Sequence, residues 1–191
     1  MSSADWRGYS HPRLGSSCKR LVLIGAECTG KSTLAQALAR SLAGVYVAEY
    51  LRTFVTVFGR LPRATDSAYL IASQQALRNK AIAGRSEGWI IEDTDEWSTA
   101  IYHRYYFGGP LDVEPFGAQL PDAYILCRPD FPWEPDGDLR DGPRVRAELD
   151  KHFDQHVRGS GIPYLVASGQ LSSRLAAVHR WLKNQEAAQQ C

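Results

Sequence analysis

One run of nine residues carries a pattern with a definite chemical use. Gly25-Ala26-Glu27-Cys28-Thr29-Gly30-Lys31-Ser32-Thr33 fits G-x-x-x-x-G-K-[ST] at every position. Glycines let the main chain wrap closely, so that successive N–H groups converge on one anion. Lys31 supplies a mobile positive charge at the β- and γ-phosphates of a nucleotide, and the Ser32 hydroxyl is an expected Mg²⁺ ligand. Gly25, Glu27, Cys28, Thr29, Gly30, Lys31, Ser32 and Thr33 are thus the expected nucleotide-binding residues.

Two acidic groups follow. Glu49-Tyr50-Leu51-Arg52 comes after the short apolar run Val45-Tyr46-Val47, and Asp93-Thr94-Asp95 ends the run Gly88-Trp89-Ile90-Ile91-Glu92. A carboxylate at the end of a strand beside such a glycine loop is placed to hold Mg²⁺, directly or through its water. Asp and Thr also favour helix N-caps, so Asp93 is expected on the metal side while Thr94 or Asp95 caps the next helix. A third feature is the stretch from Arg128 to Arg146, polar and interrupted by Pro and Gly, with four arginines. A long loop of this kind in a compact domain is a lid candidate, and the planar guanidinium suits phosphate oxygens.

These groups need a frame that brings them together. Leu21-Val22-Leu23-Ile24 precedes the glycine loop as a buried strand, and Leu34, Leu38 and Leu42 follow it on one helical face. The helix aims the positive end of its dipole at the same anion. Further along, Ser67–Ala83 reads as a helix with Leu70, Ile71, Leu77 and Ile82 inward and Gln74 and Gln75 on a solvated face. Trp97, Ile101 and Tyr105 mark the next helix, with Tyr102, Tyr106 and Phe107 beside them. That dense aromatic stripe is read either as core or as the wall of a pocket for a flat ligand. Residues 122–127 and 163–166 read as strands, and a helix spans 144–157. His152 and His156 on it are expected at the surface, since no third ligand stands at a fitting spacing. Leu171, Leu175, Val178 and Leu182 mark a closing helix.

Strands alternating with helices give an α/β fold, a doubly wound parallel sheet of five strands flanked by helices in the manner of P-loop NTPases. Residues 1–18, rich in Ser, Gly, Pro and Arg, are expected to be a flexible tail before a single domain over 19–187. A net charge of +1 gives no reason to expect a nucleic-acid partner, and no apolar run approaches a membrane span. Cys18, Cys28, Cys127 and Cys191 lack metal-ligand spacing and suggest a reducing cytoplasm. The Asn-Lys-x-Asp motif that reads guanine is absent, which points to ATP with Mg²⁺ as the nucleotide.

The glycine loop, Glu49-Tyr50-x-Arg52, Asp93-Thr94-Asp95 and Pro132-Trp133 with the following Asp-Gly and Arg together resemble the kinase domain of NadR-type nicotinamide riboside kinases. Cys28 stands where that family commonly has Ser, Leu51 where a small residue is common, and Asp138 looks like an insertion before Arg140. The resemblance implies transfer of the ATP γ-phosphate to the 5′-hydroxyl of nicotinamide riboside, a small nucleoside partner. Lys31, Glu49, Asp93, Arg140 and Arg144 are the expected catalytic residues. Glu49 is the first choice as base, with Asp93 or Asp95 as rivals, and the two arginines close on the γ-phosphate. Ser32 and Asp93 are the expected metal ligands. Glu49, Tyr50, Arg52, Asp95, Trp97 and Trp133 are expected around the acceptor, where aromatic faces suit a cationic ring. A kinase for another small hydroxyl substrate and an ATP-dependent switch stay open beside this reading, and so does homo-oligomerisation.

Overall fold

The structure, a computed structural model, describes residues 17–113, 119–135 and 142–189. The expected lid arginine Arg140, Asp138, Cys191 and all but the end of the expected tail lie outside the described residues. Ser17 and Cys18, placed in that tail by sequence, already belong to the first strand.

In chain order the elements are β1 (Ser17–Ile24), α1 (Lys31–Ser41), β2 (Val45–Val47), α2 (Tyr50–Phe58), a 3-10 turn (Ala64–Asp66), α3 (Ser67–Ile82), β3 (Glu87–Asp93), α4 (Glu96–Phe107), β4 (Ala123–Cys127), α5 (Pro143–Gly159), β5 (Tyr164–Ala167) and α6 (Leu171–Gln189). The strands form one wholly parallel sheet in the order β2-β3-β1-β4-β5. Every strand pair is therefore joined by a crossover, which is what the alternating sequence pattern dictates. β1 is central. The chain leaves it toward one edge and later returns to its other side, so the order reverses at β1. In open sheets of this kind the ligand crevice lies beyond the strand ends at that reversal.

Side chains alternate between the two faces. Leu21 and Leu23 of β1, with Ala123, Ile125 and Cys127 of β4, pack under α1 and α6. Val22 and Ile24, with Tyr124 and Leu126, pack under Leu149, Phe153 and Val157 of α5 and half-buried rings of α4. Cys18, Val47 and Ile90 meet Leu77, Ala81 and Ile82 of α3. A sheet buried on both faces reads as near-continuous apolar runs, as β1 and β4 do.

The same interior holds charge. Arg20 of β1 and Arg78 of α3, both fully buried, bracket Glu92 of β3 and Glu96 of α4. Arg20 reaches Glu92 at 2.6 Å and Glu96 at 3.2 Å, and Arg78 reaches Glu96 at 2.5 Å. Two cations against two anions let the burial stand, since each charge finds an opposite partner. The network locks α3 and α4 to the strands that end at the crevice.

Two assignments from sequence need correction here. Gln74 is buried on the sheet side of α3 rather than solvated. Ser67, Leu70, Ile71, Gln74 and Arg78 form the buried stripe at helical spacing, and polar side chains fill it where they meet main chain and charge. His156 is not a surface residue either. Its ring stacks on Trp97 at 5.7 Å and meets Tyr124 at 5.6 Å, and burial lowers its pKa.

Candidate active site

The glycine loop leaves β1 and turns directly into α1. Gly25 has φ 140°, and a Cβ there would stand 2.5 Å from the Cys127 carbonyl oxygen of the neighbouring strand, so only glycine fits. Gly30 caps α1 in the left-handed region, with φ 76°. Cys28, a residue with a side chain, also has positive φ (53°). Such backbone costs on the order of 1–3 kcal/mol and persists where its surroundings hold it.

The hold comes from two cations. The Lys31 ammonium donates to Gly25 O at 2.9 Å and Ala26 O at 2.7 Å. Arg174 of α6, fully buried, donates to Thr29 O at 2.6 Å, to Arg128 O at 3.0 Å and to Gly169 O at 2.7 Å. It also pairs with Asp130 and lies over the Phe131 ring, 4.6 Å from its centre. One side chain therefore fixes the loop against the exits of β4 and β5. Sequence reasoning missed Arg174, which looks like an ordinary surface arginine among polar neighbours in a helix.

The acids stand at adjacent strand ends. Asp93 closes β3 in register with Leu23, and Thr94 (φ 67°) ties back to Leu23 O at 3.0 Å. Glu49 sits between β2 and α2, at the N-cap of α2, without capping it through its side chain. Burial, with the Asp93 charge nearby, pushes the Glu49 carboxyl up to about 7 against the pull of Lys31 and Arg52. The Tyr46 hydroxyl donates to Asp93 at 3.3 Å, and burial beside that carboxylate raises it to about 12. Burial and the charges of Glu49 and Glu27 raise Tyr102 of α4 as well.

The loop from Glu27, both acids, Tyr46 and Tyr102 line one cleft of about 790 Å³. Residues 27–33 of the loop line one end. Glu49, Tyr50, Arg52 and Asp93 line the middle. Ser98, Thr99, Tyr102, His103, Tyr106 and Phe107 of α4 line the wall running outward, at the 3–4-residue spacing of one helical face. Leu61, Pro62, Ser67 and Leu70 face them across the rim. The Ser67 hydroxyl pairs with His103 Nδ1 at 2.7 Å. Of the aromatic stripe, one face is thus pocket wall and the other is core.

Four expected site residues are not brought to the cleft. Asp95 is the N-cap of α4: it accepts from Ser98 N at 2.9 Å, Ser98 Oγ at 3.0 Å and the Tyr124 hydroxyl at 2.8 Å. Both of its oxygens are spent on structure. Trp97 is core, packed with Ile71 and Val113, because it lies on the α4 face opposite Tyr102 and Tyr106. Trp133 is half-buried outside the lining, although the adjacent Pro132 carbonyl accepts from the Cys28 thiol at 3.5 Å. Arg144 opens α5 on its exposed side and pairs with Glu148 at 3.0 Å, one helical turn on.

A divalent cation can be tested against these residues. Asp93 Oδ1 is buried and accepts no hydrogen bond from the described residues, while Ser32 lines the same cleft. Among the described residues no cluster of three or more His, Cys, Asp or Glu side chains forms a metal site. One carboxylate and one hydroxyl suit Mg²⁺, which keeps waters and leans on substrate phosphates rather than on a full protein cage. Among the described residues no helix is long and apolar enough to cross a membrane.

Solved structures share this fold. NadR in complex with NR matches with TM-score 0.67 and 22% identity, over 86% of this chain and 51% of that one. NadR with NAD and AMP-PNP matches with TM-score 0.68 and 20% identity, over 86% and 49%. Deoxyadenosine kinase from M. mycoides with bound dATP matches with TM-score 0.58 and 14% identity, over 86% and 99%. The chain thus spans about half the length of the NadR chains, and the likeness read from its motifs is met at the level of fold. No curated protein matches the sequence. The model of the AAA domain matches residues 20–174, from the buried Arg20 to the Arg174 that pins the glycine loop, and the chain belongs to that family.

Proposed function

We propose that the chain is an ATP-dependent small-molecule kinase whose first candidate acceptor is the 5′-hydroxyl of nicotinamide riboside. The observation that carries this reading is the single cleft. It joins a phosphate-binding loop, two carboxylates and an aromatic wall. A switch that only binds nucleotide has no use for the second half.

In this reading the loop amides, the α1 dipole and Lys31 hold the triphosphate. Ser32 and Asp93 would hold Mg²⁺, which offsets charge on the transferring group. Glu49 takes the hydroxyl proton as the acceptor oxygen bonds to the γ-phosphorus and the bond to the β,γ-bridging oxygen breaks, releasing ADP. A carboxylate with a pKa near 7 suits that task at neutral pH. Tyr50, Tyr102 and Tyr106 supply faces for a flat, cationic ring, and such contacts are worth about 0.5–2 kcal/mol. The NadR complex with NR supports the acceptor class by shared fold, and the deoxyadenosine kinase supports a second reading with a deoxynucleoside acceptor.

The test is a panel of nucleoside acceptors with purified protein, Mg²⁺ and γ-labelled ATP. Label on nicotinamide riboside supports the first reading, and label on deoxynucleosides alone supports the second. ATP turnover indifferent to every acceptor overturns both.

A further inference from the structure

Glu49 occupies a turn of only two residues between β2 and α2, and its carboxylate does not cap its own helix. Something else must hold it. The first amides of any helix lack partners within the helix and need an outside acceptor. Here the amide of Tyr50, the first residue of α2, donates to Oε1 of Gln74 at 2.8 Å. The same carboxamide donates through Nε2 to Ala48 O at 3.3 Å and to Glu92 Oε1 at 3.3 Å. An N–H on one side and two oxygens on the other fix which end of the amide is which.

We propose that Gln74 is a positioning residue: its carboxamide grips the main chain on both sides of Glu49 and so sets where that carboxylate stands relative to Asp93. Ala48 and Tyr50 flank Glu49, and Glu92 precedes Asp93, so one side chain spans the exits of β2 and β3. Gln74 itself is buried in α3, and the Glu92 that it meets belongs to the Arg20–Arg78 ion network. The Glu49 side chain makes no capping bond and has the charges of Asp93 of β3, Lys31 of α1 and Arg52 of α2 around it. Tyr46 of β2 and Tyr102 of α4 stand beside the same charges. Without the carboxamide, the Tyr50 amide and the Ala48 carbonyl lose these partners, and the two-residue turn that carries Glu49 can shift relative to Asp93.

The functional half of this inference rests on the kinase reading, so the experiment has two readouts. Gln74→Met keeps the shape and loses the bonds, and Gln74→Asn is a second variant that stays polar but falls short. Each is made alone and with Glu49→Gln. Acceptor transfer should fall about tenfold in kcat with the KM for ATP within about twofold, and the further fall in the Glu49→Gln background should be under about twofold. The Tyr50 amide should exchange about tenfold faster by NMR once its acceptor is gone. Equal losses in both backgrounds overturn the proposal, and so does unchanged exchange at Tyr50. If the chain phosphorylates no acceptor, the kinase reading falls while the Tyr50 exchange still decides whether Gln74 holds the Glu49 turn.

Discussion

The two ends of the cleft are built on different principles. The phosphate end is main chain: glycines with positive φ, carbonyls held by Lys31 and Arg174, and a helix start. The end proposed for the acceptor is side chain: Tyr50 from α2, Leu70 from α3, and Tyr102, His103 and Tyr106 from α4. Main-chain sites demand particular residues at fixed offsets, because at a position such as Gly25 only glycine tolerates the angle and the close approach. Side-chain sites demand only that several elements arrive together. The first kind is fixed within a nine-residue stretch, and the second depends on the packing of helices far apart in the chain.

The contrast can be broken in descending steps. Lys31→Ala should lower kcat/KM on the order of a thousandfold, since it removes a preorganised charge from the transferring phosphate. Steady-state kinetics with a working acceptor checks this, and a loss below tenfold would mean that the loop is not the phosphate grip. The two faces of α4 should next separate cleanly. Trp97→Ala empties a core position and should cost about 3–5 kcal/mol in urea unfolding without raising the acceptor KM. Tyr106→Ala, exposed at the rim, should raise the acceptor KM several-fold while stability moves by less than about 0.5 kcal/mol. The reverse pattern would put the acceptor on the other side of the helix.

A smaller effect concerns Glu49. Its carboxyl rises from an ordinary 4.5 to about 7 in the folded chain. Between those values the folded state binds more protons than the unfolded one, so this group's contribution is present below about 4.5 and is lost as pH rises through 7. In EDTA, the urea midpoint of the wild type should therefore fall relative to Glu49→Gln between pH 5 and 8. A difference that stays flat with pH would place Glu49 in open solvent. Smallest of all, Arg144→Ala should change stability by less than about 1 kcal/mol, because its pair with Glu148 is exposed. A large loss of kcat in that variant would show that α5 swings its first turn over the phosphates.

How far the sequence could be read follows the same division. The strands, the α1 start at Lys31 and the strand-end positions of Glu49 and Asp93 follow from apolar runs and glycines. Asp95 was open to two roles, and one of its oxygens caps α4 through Ser98 while the other takes the Tyr124 hydroxyl of β4. Trp97 and Tyr102 are five residues apart on one helix, and aromatic type alone does not say which faces the sheet edge. Gln74 could have been found: it continues the spacing of Leu70 and Ile71, and only its polarity argued against burial. Arg174 left no local sign of its role, since the Thr29 and Arg128 carbonyls that it holds come from two loops far away in the chain.

Arg174 stands 145 positions after the Thr29 carbonyl that it holds. A chain emerging from the ribosome exposes its glycine loop early and waits for α6 before that loop is clamped. Grip on nucleotide is therefore acquired only once α6 has emerged, and a product interrupted before α6 would carry an intact motif with a slack cradle. Retention on an ATP resin would then separate chains that include α6 from those interrupted before it.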